Sequence, residues 1–172
     1  SVLGSIPVPK KISVQEIREI DKANVTIVDT RDWESFRKAH IPGSLSLPTE
    51  SAFSTNAGSF ITPEEILCLI VDPVHKEQAI REHTRIGIDN IQYWLDHSEL
   101  DQYADEDHPF ATIQEASASQ SAELINHPDI QPLDVRKKTE FAVSSIPGAI
   151  NIPHTRLASR TDELPKDKTL LI

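Results

Sequence analysis

The sequence predicts an α/β protein of two similar units, each with a central parallel β-sheet flanked by helices, and with the second unit incomplete. Three observations support this prediction. Residues 28–48 and 133–153 match at a constant offset of 105, with seven identities in twenty-one positions, which indicates an internal repeat. Residues 66–71, Ile-Leu-Cys-Leu-Ile-Val, form a continuous apolar run of the kind that a parallel sheet buries on both faces. A predicted helix and a further strand follow that run.

The repeated block predicts a strand, a helical turn and a tight turn in each copy. An apolar run ends in Asp-x-Arg, so a buried strand reaches solvent at its carboxyl end. One helical turn then carries a single inward Phe, and Ile-Pro-Gly predicts a turn because Pro fixes one φ while Gly permits a positive one. A short strand stopped by Pro ends the block. The Asp-x-Arg residues of the two copies are Asp29, Arg31, Asp134 and Arg136.

Local signals predict the rest of the first unit. Ser13 and Glu16 form a capping box at the start of a short amphipathic helix. Residues 49–63 are rich in Ser, Thr, Ala and Gly, which indicates a long surface loop. After the strand at 66–71, Asp72 is predicted to cap a helix whose first residue is Pro73, and Gly87 is predicted to end it. Residues 88–95 are predicted to return to a strand.

The predicted boundaries are 1–97 for the first unit, 98–110 for an acidic linker and 111–172 for the second unit. The acidic stretch lacks the mid-loop glycine of a calcium-binding loop, so we interpret it as solvated chain. Residues 110–113 predict the strand that enters the second unit. Ser119 or Ser121 is predicted to cap a helix that ends near Asn126, and a strand at 130–133 leads into the second Asp-x-Arg.

Composition narrows the classes of function. With 38% apolar and 26% charged residues, the chain has the composition of a globular protein. Its 27 acidic and 17 basic residues give a net charge of −10, which opposes binding to nucleic acid or to an anionic membrane. A single cysteine cannot form an internal disulfide and favours a reducing, cytoplasmic compartment. No cofactor or metal is expected in this chain.

The repeated motifs resemble those of rhodanese-like domains. Residues 40–44, His-Ile-Pro-Gly-Ser, are similar to the His-Ile-Pro-Gly-Ala of that family, and they follow a strand that ends in Asp-x-Arg. The resemblance covers residues 11–96 and about 111–172, and it implies α/β units that are often duplicated in tandem. Residues 70–73 and 85–90 further resemble tandems fused to metallo-β-lactamase-fold hydrolases, including persulfide dioxygenase–sulfurtransferase fusions.

The resemblance also implies a sulfur-carrying cysteine in the loop directly after the strand at 66–71. Loop amides and a helix N-terminus lower the pKa of such a thiol and stabilise its persulfide, while sulfur passes from a donor such as thiosulfate to cyanide or a thiol. In the first unit this loop carries a carboxylate at the nucleophile position, so we predict that the unit is inactive. The residues of this degenerate loop are Asp72, Pro73, Val74 and His75.

The second unit is predicted to stop before its own active-site loop. Aligning Pro63 with Pro165 pairs residues 67–70 with 169–172, which puts the equivalent of Asp72 two residues beyond Ile172. The sequence starts at Ser1, has no Met and ends within an apolar run, so we expect it to be part of a longer protein. No residue of this chain is then expected to be catalytic.

Other candidate residues favour structural roles. Cys68 lies within the apolar strand, where a thiol is buried and inert. His40 is expected to make a structural hydrogen bond rather than to act in catalysis, and His75 and His83 lack a third ligand for a metal. The Asp-x-Arg ion pairs are expected to brace the neighbouring loops, and the pair in the second unit could also shape its active loop. Two tryptophans are interpreted as core or interface residues, Trp33 and Trp94.

The sequence therefore predicts the rhodanese-like region of a bacterial sulfur-metabolism protein. Sulfur transfer would use a cysteine persulfide of the second unit beyond Ile172, with the first unit inactive. The alternative is a non-catalytic interaction or scaffold module attached to a metallo-β-lactamase-fold hydrolase, and a related phosphatase with a longer Cys-led loop also stays open. The expected partners are small sulfur donors and acceptors and a fused hydrolase domain, and an oligomer is compatible with the sequence. The residues after Ile172 discriminate between these functions.

Overall fold

A computed structural model describes residues 6–48, 58 and 60–172, and the chain divides into two compact units at Ile113 and Gln114. The first unit holds a five-stranded sheet and the second a three-stranded sheet, and every pair of neighbouring strands is parallel. The predicted α/β class, with parallel sheets flanked by helices, is confirmed. Within the described ranges, no helix is long and apolar enough to span a bilayer.

The strands of the first unit lie in the order β1-β5-β4-β2-β3, so β5, β4 and β2 occupy the interior of the sheet. In chain order the elements are β1 (Lys10–Lys11), α1 (Val14–Arg18), β2 (Val25–Asp29), α2 (Trp33–Lys38), β3 (Leu45–Ser46), β4 (Ile66–Val71), α3 (Lys76–Arg85), β5 (Ile91–Asp96) and a 3-10 helix (His97–Gln102). Most of the predicted surface loop, residues 49–57 and 59, lies outside the described residues.

The capping box predicted for α1 is present. The Ser13 hydroxyl accepts a hydrogen bond from the Glu16 backbone N–H, and the Glu16 carboxylate accepts one from the Ser13 backbone N–H at 2.7 Å. These bonds satisfy N–H groups that the first turn of a helix leaves without partners. The helix buries Val14 and Ile17 in the apolar cluster on one face of the sheet.

Two apolar clusters cover the two faces of the first sheet, and β4 contributes to both. Leu67, Leu69 and Val71 point to one cluster, whereas Cys68 and Ile70 point to the other. This alternation is what a strand buried on both faces requires. The first cluster packs beneath α3 and the second beneath α1.

The acidic stretch predicted as a linker packs onto the first unit. Its apolar residues Leu100 and Tyr103 are buried in the same cluster as α1, and Phe110 stacks on Tyr103 with 5.5 Å between ring centroids. Arg18 fixes the stretch by donating to the carbonyl of Tyr103 at 2.7 Å. The linker prediction depended on the polar composition of the stretch. Its few apolar side chains and its bond to Arg18 nevertheless hold it against the first unit.

Residues 110–113 also differ from the prediction that they enter the second unit. The backbone N–H of Ala111 donates to the His40 carbonyl at 2.9 Å, and the His40 N–H donates to the Ala111 carbonyl at 3.0 Å. Ile113 donates its N–H to the Arg37 carbonyl. These residues therefore complete the first unit.

The second unit repeats the start of the first. Its elements are α4 (Ala118–Leu124), β6 (Ile130–Asp134), α5 (Lys138–Val143), β7 (Ile150–Asn151), two 3-10 helices (His154–Arg156 and Ala158–Glu163) and β8 (Thr169–Leu171), with the sheet order β7-β6-β8. Helix α4 is capped by Ser117, whose hydroxyl accepts from the Gln120 N–H. The predicted caps Ser119 and Ser121 are therefore wrong, because a second capping box with Gln120 starts the helix earlier.

Strand pairing shifts the alignment of the two units by one residue. Val25 lies opposite Ile66 in the first sheet, and Ile130 lies opposite Thr169 in the second. Since Val25 and Ile130 are equivalent in the repeat, Thr169 corresponds to Ile66 and Ile172 to Leu69. The equivalent of Asp72 therefore falls three positions after Ile172, because Asp72 stands three residues after Leu69.

Candidate functional site

A cleft of about 980 Å³ opens at the carboxyl edge of the first sheet. Parallel strands end at a common edge, which is where open α/β sheets usually bind ligands. Here the residues that follow β2, β4 and β5 contribute to the same cleft. Its lining residues are Thr30, Arg31, Asp32, Trp33, Ser35, Pro48, Asp72, His75, Gln78 and His97.

The loop after β4 is closed on itself by Asp72. The Asp72 carboxylate accepts the Val74 backbone N–H at 2.8 Å, and the Asp72 carbonyl accepts the His75 N–H at 2.9 Å. Pro73 has no N–H to offer. The three residues that follow Asp72 therefore present no unused backbone donor to the cleft.

This closed turn corrects the prediction that Asp72 caps the helix. Helix α3 begins at Lys76 with His75 at the cap position, and no His75 side-chain bond caps it. The Asp72 carboxylate accepts the N–H of Val74 and not one from the first turn of α3. The helix therefore begins three residues later than the predicted start at Pro73. Gly87 ends α3 with φ +82, as predicted.

Two carboxylates flank the cleft. Asp72 Oδ2 lies 3.5 Å from His97 Nε2. This contact connects the loop after β4 to the residue that follows β5. Asp32 caps α2 and accepts the Ser35 hydroxyl at 2.7 Å and the Ser35 N–H at 2.9 Å. The Ser35 side chain, and next its backbone N–H, hold the pKa of Asp32 below its usual value, so Asp32 stays ionised at neutral pH.

The first Asp-x-Arg forms a buried ion pair. Arg31 Nε lies 3.0 and 3.1 Å from the two carboxylate oxygens of Asp29, and Arg31 Nη2 donates to Asp29 Oδ2 at 2.7 Å. The same Nη2 donates to the Ala39 carbonyl at 2.7 Å. Because Ala39 is the residue that ends α2, the guanidinium joins the strand end to the far end of the next helix.

The second Asp-x-Arg repeats this arrangement. Arg136 binds both carboxylate oxygens of Asp134 and donates to the Ser144 carbonyl at 2.8 Å, where Ser144 ends α5. The hydrogen bond from the Arg136 side chain is the main cause that lowers the pKa of Asp134. Asn151 adds a further bond, since its amide donates to the Asp134 and Arg136 carbonyls. The predicted ion pair is thus present in both units.

Cys68 is fully buried in the centre of the first sheet, and burial raises the pKa of its thiol to about 12. A thiol with that pKa is protonated at neutral pH and does not act as a nucleophile. By the strand pairing, Leu171 takes the equivalent position in the second unit. An apolar side chain therefore serves at both positions.

The histidines singled out by the sequence lie in different places. The Nδ1 atom of His40 lies 2.9 Å from the Phe36 carbonyl and the ring stacks on Phe36, so His40 braces α2 and the turn after it. His83 lies on the buried face of α3, and its Nδ1 lies 2.8 Å from the Ala79 carbonyl. His75 lines the cleft. Among the described residues, no group of three or more His, Cys, Asp or Glu could hold a metal ion.

Sequence reasoning missed three cleft residues: Asp32, Trp33 and His97. Of the two tryptophans predicted to be core or interface residues, Trp94 is buried in the core, whereas Trp33 is 44% exposed. Each missed residue lies within four positions after the last residue of β2 or β5. Because parallel strands end at one edge of the sheet, the residues just after β2 and β5 could have been predicted to lie together.

Comparison with known proteins identifies the family. The pattern of the Rhodanese-like domain family matches residues 14–96 and 117–172. An EanB variant in complex with hercynine has a TM-score of 0.54 and 17% identity, over 87% of this chain and 42% of that chain. An EanB variant with ergothioneine covalently linked to a persulfide cysteine gives 0.51 and 18%, over 85% and 41%. The rhodanese-like domain of Alr3790 from Anabaena sp. gives 0.44 and 18%, over 55% and 98%.

The comparisons differ in what they show about this chain. No protein of curated function matches the chain. The chain spans less than half the length of the EanB chains, and at such low identity the likeness to them shows the fold alone. The family match, in contrast, covers most of the sequence and both copies of the Asp-x-Arg and Ile-Pro-Gly motifs. This chain therefore belongs to the family of rhodanese-like domains.

Proposed function

We propose that this chain is the tandem rhodanese-like region of a bacterial, cytoplasmic sulfurtransferase, in which the second unit is catalytic and the first is inactive. The observation that supports it best is the carboxylate in the loop of the first unit. Both keep the Asp-x-Arg brace, but the first fills its loop with the carboxylate of Asp72. The family to which both units belong supports sulfur transfer as the class of reaction.

Among the described residues, neither Cys68 nor the loop 72–75 of the first unit supplies a part of a persulfide site. A persulfide needs a thiolate and N–H donors that stabilise its charge. Cys68 is a buried thiol whose pKa is raised to about 12, and the donors of Val74 and His75 are bonded to Asp72. An anionic donor such as thiosulfate would also meet the Asp72 carboxylate at close range, which is unfavourable.

The second unit keeps the elements that would position an active loop. Arg136, Asp134 and Asn151 fix the end of β6 and the end of α5, next to the strand β8 that leads toward the loop position. In a polypeptide that continues past Ile172, a cysteine at the position equivalent to Asp72 would lie at this edge. EanB has been captured with a persulfide cysteine, and we carry only that reaction class over to this chain.

The proposed reaction has two steps. The cysteine thiolate attacks the outer sulfur of thiosulfate, forming an S–S bond as sulfite leaves. Cyanide or a thiolate then attacks the outer sulfur of the persulfide, taking it as thiocyanate or as a new persulfide and returning the cysteine thiolate. No metal or organic cofactor enters either step. A fused metallo-β-lactamase-fold domain is a proposed partner of this region.

Intact mass spectrometry of the polypeptide that carries this chain tests the proposal. After incubation with thiosulfate, we expect a gain of one sulfur atom that cyanide removes, and peptide mapping should place it on a cysteine following β8. Sulfur found on Cys68 would overturn the assignment of the first unit as inactive. A variant with Cys68→Val should gain the same sulfur as the parent protein.

A scaffold is the second candidate function. It is favoured by one observation, that the single cysteine of this sequence is buried. In that case both units would position a fused hydrolase domain without carrying sulfur. An unchanged mass after thiosulfate would support this candidate and reject sulfur transfer.

A further inference from the structure

One apolar face of the first unit is closed by residues 97–113, which we call the cover segment. Ile41, in the Ile-Pro-Gly turn, is 0% exposed and lies in the same apolar cluster as Tyr103 of this segment. The segment then pairs with the turn, because Ala111 and His40 exchange two backbone hydrogen bonds of 2.9 and 3.0 Å. Buried side chains and a backbone bridge therefore hold the cover segment in place.

The second unit keeps the same turn, but the corresponding face is open. Ile146 is the repeat equivalent of Ile41 and is 46% exposed. Ser145 is the equivalent of His40, and within the described part of the chain neither its N–H nor its C=O forms a backbone hydrogen bond. Free backbone groups beside exposed apolar side chains allow an extended segment to pair there. The second unit thus presents uncovered the surface that the first unit has closed.

A pocket of about 360 Å³ lies at this open face. Its lining includes Ile146 of the turn, Leu171 of β8 and Ser121 of α4. Ser121 lies four residues after the capping serine of α4, as Ile17 lies four residues after that of α1, so the two positions are equivalent. Ile17 is fully buried in the first unit, whereas a serine fills less space. The pocket therefore has room for a large apolar side chain of an incoming segment.

We propose that a segment of the same polypeptide, beyond Ile172, docks on this face as the cover segment docks on the first unit. It pairs its backbone with Ser145 and places a large apolar side chain against Ile146. The first unit indicates the source, because its cover segment belongs to the same chain and follows its last strand directly. A tethered segment also has a high effective concentration at its site. The inference rests on the proposed function only in requiring a polypeptide that continues past Ile172.

The two docking sites differ in charge. In the first unit Arg18 donates to the Tyr103 carbonyl at 2.7 Å and pairs with Asp105 at 3.0 Å. Ala122 takes the position of Arg18 in α4, five residues after the capping serine. Docking on the second unit therefore depends on apolar contact and backbone pairing, and salt should weaken it little.

Amide hydrogen exchange measured by NMR on the polypeptide that carries this chain tests the inference. We expect the Ser145 amide to be protected to within about tenfold of the His40 amide, and its protection to be the same at low and high salt. The Ile152 amide, which donates to the Asp134 carbonyl, reports whether the second unit is folded.

Two variants assign the protection to docking on this face. Ile146→Asp should speed exchange of the Ser145 amide by at least about tenfold while the Ile152 amide stays protected. Val143→Asp is the matched control, because Val143 is 87% exposed and does not line the pocket, and it should leave exchange unchanged.

Free exchange of the Ser145 amide in a polypeptide whose Ile152 amide is protected would overturn the inference. Protection that appears only after another protein is added would also overturn it, because the segment would then belong to a partner. Exchange does not depend on sulfur chemistry. A polypeptide that gains no sulfur from thiosulfate but protects Ser145 would therefore reject the proposed function and support this inference.

Discussion

Arg31 covers a carboxylate that has no contact with solvent: the Asp29 side chain is 0% exposed, and the Arg31 side chain paired with it is 15% exposed. The equivalent pair of the second unit is more open, since the Arg136 side chain is 47% exposed. The same contacts therefore occur in two different environments. Electrostatic theory expects them to contribute differently to stability.

We predict that Arg31→Ala lowers the free energy of unfolding by about 3 kcal/mol, because it leaves a buried carboxylate without its partner. Arg136→Ala should lower it much less, since water can replace the lost contacts. Both tryptophans lie in the first unit, so urea unfolding followed by fluorescence reports the Arg31 variant, and circular dichroism reports the Arg136 variant. Arg81→Ala, which breaks an exposed pair with Glu77, is the control. Equal costs for Arg31 and Arg136 would contradict the prediction.

Cys68 should react slowly with alkylating reagents. Its thiol is buried and its pKa is raised to about 12, so at pH 8 almost no thiolate is present. We expect iodoacetamide to label the native chain far more slowly than the urea-unfolded chain, as followed by intact mass. Cys68→Val should change the free energy of unfolding by less than about 1.5 kcal/mol, because the substitution keeps a small apolar side chain. Rapid labelling of the native chain would show that the strand is accessible.

The buried His83 should make stability depend on pH below neutrality. Burial is the main cause that lowers the pKa of His83 from its usual 6.5. The unfolded chain therefore binds a proton at a higher pH than the folded chain, so this contribution is complete above about pH 6.5 and is lost as pH falls below it. We expect a falling melting temperature between about pH 7 and pH 5.

Substitution identifies the group responsible for that decline. His83→Gln should remove most of the slope, although it also lowers the melting temperature at neutral pH by disturbing the bond to Ala79. His127→Gln should leave the slope intact, because His127 is exposed. A slope that survives in His83→Gln would assign the titration to another group.

The Ile-Pro-Gly turn should tolerate asparagine better than alanine at Gly43. Gly43 has φ +85, and a Cβ added there would meet no atom within 4 Å, so the penalty comes from the backbone alone. Gly43→Ala should cost about 1–2 kcal/mol, and Gly43→Asn should cost less, because Asn adopts this conformation more readily. Urea unfolding followed by fluorescence measures both variants.

Gly58→Ala is the control for the turn. Gly58 has no positive φ, and a Cβ added there would also meet open space, so the substitution should cost little. A cost equal to that of Gly43→Ala would reject the backbone explanation.

The elements with strong local signals could be predicted from sequence. The capping box of Ser13 and Glu16, the apolar strand Ile66–Val71 and the Ile-Pro-Gly turns all occur where the sequence predicts them. Their determinants lie within a few residues of one another. Such short-range signals act in the same way whatever surrounds them.

The candidate site was only partly predictable. The loop 72–75 and the Asp-x-Arg pairs were found, but the bond from the Val74 N–H to Asp72 was not, and it moved the helix start to Lys76. An aspartate before proline suits a helix cap and a closed turn equally well. The choice depends on where β4 ends relative to α3, which is a tertiary property.

By itself, the sequence determined that the chain contains two related α/β units and that an aspartate, Asp72, directly follows the apolar strand of the first. Only the tertiary structure decided that residues 98–113 belong to the first unit, that Trp33 faces a cleft, and that the second copy aligns one residue differently. Burial of Leu100 and Tyr103 depends on contacts with α1, which lies far earlier in the chain. Register likewise depends on pairing between strands, where a slip of one residue moves every side chain to the opposite face of the sheet.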